Sequence, residues 1–593
     1  MKTLREIEMN NMTQQLKVEL GQYSHQGRKA INQDFYAASI PKNYLLQHKG
    51  IACALSDGIS SSNVSHIASQ MAVTGLLSDY FSTPESWTVK TSVQRVLTAV
   101  NSWLYAQTQQ SQYRFDKDRG YVCTLSALVM KGHIAHLFHI GDSRIYRLQS
   151  GQLEQLSTDH RVWLSSQESY LSRALGVNAK VDIDYQSYVL YENDIFILMT
   201  DGVYEYCSAE KLTQFLTQTH TSLDLIAQHI VEYAYQQGST DNLTIQIVKV
   251  QQLPQVGSHE IVPDYAQLAF VPCLNVPTQF DGYQIVREIH NSNRSVLYLA
   301  HEIDQQQLLV IKVPAIDVQQ DPYLTEQFLL EEWIANRLHH PHVLAAYTQL
   351  RPRNYIYHTM EYIEGVTLKQ WITDQQQPVP LDKVRQIIEQ IAKGLQAIHR
   401  LEMIHQDIRP ENIMLDHLGT VKIIDFGACR VAGIREMTRD VEEVALGTMA
   451  YMAPEYFLAE SVTTSSDQYS LGVLAYYLLS ADLPYQTNIA KCKSKKDFRK
   501  LQYRSLSYYR EDVPIWVDKA LERAVQIRAD HRYDDVAEFV YDLIHPNPRF
   551  LTLKRKSWVD KDPVMFWKAI SSLLFLLLMG GVALVSHFNA IHF

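Results

Sequence analysis

Apolar and polar positions change period several times along the chain, and those changes divide it. From about residue 15 to 250, short apolar runs of strand length alternate with helical stretches such as Ser92 to Gln109. Ile51-Ala52-Cys53-Ala54-Leu55 and Leu125 to Met130 are examples of the strand-like runs. From Tyr283 to Ala300 and Leu308 to Val313 an alternation of strands begins again. Between the two lie Leu253-Pro254, Val262-Pro263, Val271-Pro272 and Val276-Pro277, and four prolines at short spacing favour extended backbone and forbid a long helix. From Ala569 to Val585 no residue is charged, and with Phe566, Trp567 and Phe588 as flanks this run approaches the roughly 20 residues that span a bilayer. The pattern predicts a tail (1–14), a first domain (15–250), a linker (251–279), a second domain (280–545), a basic segment (546–568) and a membrane-crossing helix (569–588).

Length supports this division, because 593 residues at about 150 per domain make two to four domains. Hydrophobic residues are 46% and charged residues 20%, a globular composition that excludes a largely disordered chain. A net charge of −10 argues against nucleic acid as a partner, since such binding rests on neutralising phosphates. The six cysteines (Cys53, Cys123, Cys207, Cys273, Cys429, Cys492) are scattered, with neither a zinc spacing nor a disulfide framework, which fits a reducing cytosol. Met1 to Leu20 is polar, with Glu6, Glu8 and Glu19, and does not read as a secretory signal. Lys554, Arg555, Lys556, Lys561 and Lys568 precede the apolar run and no Lys or Arg follows it. The positive-inside bias then places the protein at the inner (cytoplasmic) membrane, single-pass, with its large N-terminal part in the cytoplasm.

The candidate chemistry is carboxylate chemistry in both halves. In the first, Asp34 follows Asn32-Gln33, Asp57-Gly58 ends an apolar strand, Asp142 sits in His139-Ile140-Gly141-Asp142-Ser143-Arg144, Asp201-Gly202 ends another strand, and Asp241-Asn242 precedes Leu243 to Val248. One Asp-Gly is a turn. Five acidic strand ends in series can converge on hard divalent cations, which take oxygen ligands. In the second half, Lys312 is a lone cation in the apolar strand Val310-Ile311-Lys312-Val313 and needs an anion. His405-Gln406-Asp407-Ile408-Arg409-Pro410-Glu411-Asn412 offers a carboxylate as base and, five residues on, an amide for a metal ion; Asp425-Phe426-Gly427 adds a second carboxylate at a strand end.

Residues 15 to 250 resemble the metal-dependent (type 2C) protein phosphatases, most specifically at HIGDSRIYRL, LSRALGV, DIFILMTDG and GSTDNLTI. The resemblance implies two antiparallel sheets flanked by helices, an α-β-β-α sandwich. Asp34, Asp57, Asp201 and Asp241 would hold two Mn²⁺ or Mg²⁺ ions, Gly58 would add its carbonyl, and Asp142 would serve a third, weaker metal. Lys29 stands where the family places a phosphate-binding Arg, with Arg28 beside it, and Ile59 to Asn63 carries no His to protonate the leaving oxygen.

Residues 280 to 545 resemble the eukaryotic-type protein kinases over the whole two-lobed fold. Asp407, Lys312 and Arg409 would be the catalytic residues. Lys312 and its partner Glu331, Glu361 and Tyr362 of the hinge, Val296, Asn412 and Asp425 would bind ATP, with Asn412 and Asp425 also holding Mg²⁺. Ala453-Pro454-Glu455 would close the activation segment, and Asp467 and Arg532 would be the structural pair of the helical lobe. The loop over the phosphates, Ile289 to Val296, has no glycine, and Gln406 replaces the Arg that usually precedes the catalytic Asp. The expectation is an α+β chain joining a Ser/Thr protein phosphatase to a Ser/Thr protein kinase, acting on protein Ser/Thr and phospho-Ser/Thr. The alternatives are a phosphatase regulated by a nucleotide-binding pseudokinase, or a non-catalytic membrane scaffold.

Overall fold

A computed structural model describes residues 15–163, 169–218, 221–254, 268–272, 274, 276–347, 352–375, 379–435, 450–492, 494–551 and 563–591. The 1–14 tail, most of the linker from 255 to 267, and residues 552–562 of the basic segment lie outside the described residues, as do Thr438, Arg439 and Thr448.

The first half is the expected sandwich. One antiparallel sheet runs in the order Lys17–His25, Leu243–Gln252, Ile195–Met199, Arg144–Gln149, Gln152–Gln155. The other runs Asp184–Val189, Ile134–Ile140, Leu125–Lys131, Ile51–Ser56, Phe35–Ser39. Alternation sorts the side chains: Leu55, Leu128, Leu137, Phe196, Leu198 and Val248 meet between the sheets. Ala54, Ala127 and Val129 face the helices Ser65–Ser82 and Val89–Gln110, and Ile245 and Ile247 face the helix Leu223–Gln236. The helix expected over Ser92 to Gln109 starts earlier, at Val89, because Thr88 caps it by accepting from the Thr91 N–H at 3.1 Å.

Residues Met1–Trp371 with Lys393–Thr448 make one compact unit, and Ile372–Ala392 with Met449–Phe593 make another. Within the first, beyond the sandwich, a five-stranded antiparallel sheet runs Thr278–Phe280, Tyr283–Asn291, Ser295–Glu302, Leu308–Pro314, His358–Glu361. The helix Pro322–Ala335 begins at Pro322, with Asp321 as its cap. The hairpin Ile413–Asp416 and Val421–Ile423 delivers Asp425 just past its end. The second unit is mostly helical, with Thr464–Ser480, Ile515–Ala524 and Val536–Ile544. In it Arg532 is fully buried and forks Glu455 at 2.8 and 2.9 Å, so the expected structural Arg is anchored to the end of Ala453-Pro454-Glu455. Asp467, the other member of that expected pair, is buried in Thr464–Ser480.

The C-terminal expectation is not supported. Pro563–Ile591 is one helix of 29 residues, yet among the described residues no helix is long and apolar enough to cross a membrane.

Candidate active sites

The sandwich gathers the predicted carboxylates at one group of strand ends. Asp34 is buried, accepting from Thr200 at 3.1 Å and from Thr244 at 2.7 Å on Oδ2, while its Oδ1 has no partner. Asp57 follows Ile51–Ser56 and feels Asp34, Asp201, Asp142 and Asp241. Asp201 opens a short helix after Ile195–Met199, and its buried Oδ1 is also without a partner. Gly58 is hemmed in: a Cβ there would meet the Gln33 carbonyl and the Ser65 side chain at 2.9 Å.

Burial raises all three inner acids. Asp34 is pushed up to about 6 and Asp201 to about 7, and burial together with its acidic neighbours drives Asp57 well above the carboxylate range. Orphaned carboxylate oxygens inside such a cluster fit divalent cations. Even so, among the described residues no three or more His, Cys, Asp or Glu side chains are already arranged as a cage. Basic residues explain the difference. Arg161 donates to Asp142 at 2.5 Å, to Asp201 at 2.7 Å and to Glu205 at 3.0 Å. Lys29, expected on phosphate, instead pairs with Asp241 and donates to Ser60 Oγ at 2.6 Å. Arg28 lies over the Tyr235 ring at 5.5 Å.

Two residues here escaped sequence reasoning. Arg161 belongs to the short strand Arg161–Trp163, forty residues from Asp201, and no local pattern marks it. Asn242 is buried and acts as a brace, donating to the Gln26 and Ile31 carbonyls at 2.8 and 3.1 Å and accepting from the Gln33 N–H at 2.9 Å, which fixes the loop entering Asp34. Its position beside Asp241 was the available signal.

A pH dependence follows. The folded chain keeps protons on Asp34, Asp57 and Asp201 that the unfolded chain releases near pH 4, so their contribution to stability is fully present below about pH 4 and is lost as pH rises through about 6 to 7. Burial holds His48, His136 and His139 neutral, which opposes that slope at acidic pH. The clean observable is therefore the gain on adding Mn²⁺. That gain in melting temperature is expected to be larger at about pH 8 than at about pH 6, and an equal or smaller gain at the higher pH contradicts the cluster as described.

The second site lies in a cleft of about 1150 Å³ lined by Lys312, Glu331, Glu361, Tyr362, Asp407, Arg409, Asn412 and Asp425, among others. Lys312 bonds Glu331 at 2.5 Å and Asp425 at 3.3 Å, meeting the need for an anion. Burial works against the lysine's charge, but Asp425 and Glu331 more than offset it. Lys312 in turn holds the Asp425 carboxyl down at about 2. Asn412 donates to Asp407 Oδ2 at 2.7 Å, and Arg409 Nε lies 3.3 Å from the same oxygen. Asp425 and Gln406 both have positive φ, 70° and 67°; for residues other than Gly such strain is found at working sites. Glu361 is held by Lys422 at 2.6 and 2.7 Å and by the Ala345 N–H at 2.7 Å.

Val296 is a correction. It packs against the core of the five-stranded sheet, while its neighbour Leu297 lines the cleft with Val310, Leu344 and Met414. A one-residue slip along a strand reverses the face. The glycine-free loop is closed by Ser292, whose Oγ accepts from the N–H of Arg294 at 3.3 Å and of Ser295 at 3.1 Å. No residue from Ile289 to Val296 has positive φ, so the turn imposes no conformation that only glycine tolerates.

Comparison with known proteins identifies the two domains that carry these sites. Residues 21–230 match the family model Protein phosphatase 2C, and residues 283–552 match Protein kinase domain. The chain is similar to serine/threonine-protein kinase PrkC of Bacillus subtilis (strain 168), 29% identical over 44% of this chain and 40% of PrkC. It is also similar to serine/threonine-protein kinase PknD of Chlamydia pneumoniae, 29% identical over 49% of this chain and 34% of PknD, so it spans less than half the length of either relative. A solved S. agalactiae serine/threonine phosphatase is 25% identical, covering 40% of this chain and 100% of that one, with a TM-score of 0.35. The chain carries a protein phosphatase 2C-like domain followed by a serine/threonine protein kinase domain.

Proposed function

We propose that this chain both phosphorylates protein serine and threonine from ATP and hydrolyses the resulting phosphoesters. The observation that carries the reading is one cleft in which Lys312 bonds both Glu331 and Asp425 while Asn412 bonds Asp407, in the same chain as five carboxylates gathered at strand ends around Asp57. In the cleft, Lys312 and Arg294 face the nucleotide phosphates, Asp407 orients the substrate hydroxyl and accepts its proton, and Asn412 and Asp425 hold Mg²⁺. Arg409 stands beside Asp407 to meet charge on the transferred group.

In the sandwich, Asp34, Asp57, Asp201 and Asp241, with the Gly58 carbonyl, hold Mn²⁺ or Mg²⁺. Such ions, when bound, make hydroxide available near neutral pH. Lys29 swings from Asp241 to the substrate phosphate, and Thr200 and Thr244 fix the Asp34 carboxylate. Incubating the intact chain separately with Mg-ATP plus a protein substrate, and with Mn²⁺ plus a phosphothreonine peptide, tests both activities. Phosphate release without transfer would favour the pseudokinase alternative, and neither would favour the scaffold.

Attachment to the cytoplasmic membrane, catalytic domains inward, is part of the proposal. The charge-free run Ala569 to Val585 and the basic residues before it support it. Deleting residues 565–593 is expected to move the protein from the membrane pellet to the soluble fraction with both activities retained. An intact chain that is already soluble contradicts the anchor.

A further inference from the structure

The phosphatase domain touches three segments of the kinase domain, and each leads directly to a residue of the ATP cleft. Arg337, just past the helix that carries Glu331, bonds Glu85 at 3.2 Å and the Tyr44 hydroxyl at 2.6 Å. Glu402, five residues before Asp407, leads into the catalytic loop through Met403–Ile404 and reaches the N-terminus of Val89–Gln110. There it accepts from the Thr88 N–H at 2.8 Å and from Thr91 Oγ1 at 2.6 Å. A carboxylate at the positive end of a 22-residue helix is favourably placed. Gly433, eight residues after Asp425, donates its N–H to the Ser86 carbonyl at 2.9 Å and accepts from Lys131 Nζ at 2.6 Å.

These contacts are built rather than incidental. Lys131 is 2% exposed, and a buried ammonium is costly without acceptors such as the Gly433 carbonyl. A Cβ at position 433 would lie 2.4 Å from the Glu85 carbonyl and 2.6 Å from that of Trp87, so only glycine lets the two backbones approach. Glu402 holds a positive φ of 55° while making its contact.

We propose that the phosphatase domain is the kinase domain's activating partner in cis: through Glu85, Lys131 and Thr88 it holds the Glu331 helix, the entry to the catalytic loop and the start of the activation segment in the arrangement that pairs Lys312 with Glu331. The inference rests on the kinase reading above. Kinases need that ion pair and an ordered Asp-Phe-Gly together, and commonly secure them with a phosphate on the activation segment. Gln406, in place of the Arg that pairs with such a phosphate, leaves that role open, and the docked domain fills it through its contacts with these three segments.

The test uses full-length chains carrying Arg337→Glu, Glu85→Arg, both together, and Gly433→Val. Kinase rate at saturating Mg-ATP on a protein substrate is read beside hydrolysis of p-nitrophenyl phosphate. Each single change is expected to lower the kinase rate about tenfold or more, the paired reversal to restore it to within about threefold, and phosphatase rates to stay within about twofold. Restoration by the reversed pair separates docking from simple loss of a surface charge, and the charge pair decides the matter if Gly433→Val does not fold. An active wild-type kinase whose Arg337→Glu and Glu85→Arg variants keep their rates within about twofold overturns this proposal alone. A wild-type chain that transfers no phosphate overturns the kinase reading and this proposal with it.

Discussion

Replacing Asp407 by alanine is expected to lower phosphoryl transfer to protein by about a thousandfold or more while phosphate release from a phosphothreonine peptide continues at the wild-type rate. The Asp407 carboxylate accepts from Asn412 at 2.7 Å and lies 3.3 Å from Arg409, so its removal takes away the base and unties two neighbours. Substrate hydroxyls are then neither oriented nor deprotonated by that carboxylate. ATP binding is expected to survive, because Lys312, Glu331 and Asp425 remain bonded to one another. An Asp407→Ala chain that transfers phosphate within tenfold of wild type, about 1.4 kcal/mol of barrier, contradicts this assignment.

The Asp57→Asn chain gives the mirror result. Its phosphatase activity is expected to fall by about a thousandfold while kinase activity is unchanged, because the site loses the carboxylate that all four acidic neighbours surround. Stability is expected to move the other way. In chelator, burial and like charges disfavour the ionised Asp57, so a neutral amide of nearly the same shape raises the melting temperature at about pH 8. Loss of activity together with a gain in chelated stability identifies a residue whose charge serves function at the expense of folding. A variant that is both less active and less stable in chelator points instead to a structural role for Asp57.

The strand ends of both domains were legible because an apolar run followed by Asp-Gly or Asp-Phe-Gly is a local pattern, and local patterns survive folding. Asp57, Asp201 and Asp425 stand where that pattern places them. The sandwich and the five-stranded sheet were legible for the same reason. Val296 was named through the resemblance to kinases, and the register of Ser295–Glu302 against Tyr283–Asn291 places its neighbour Leu297 in the cleft lining. Arg161 was invisible because its partners are 19 and 40 residues away, and such pairing depends on topology rather than spacing. The sequence shows the absence of glycine between Ile289 and Val296 but not that Ser292 closes the turn by hydrogen bonds. The contacts of Glu85 and Lys131 with the kinase domain had no local signal at all.

The most direct measurement of a chain with two opposed activities is a pulse and chase. Full-length protein receives γ-labelled ATP, Mg²⁺, Mn²⁺ and a protein substrate bearing serine and threonine, and excess unlabelled ATP is added once label has entered protein. The prediction is that label leaves wild-type reactions as inorganic phosphate during the chase, stays on protein with Asp57→Asn, and never enters protein with Asp407→Ala. Label that fails to enter wild-type protein, or that leaves equally fast with wild type and Asp57→Asn, would contradict the joining of a working kinase and a working phosphatase in this chain.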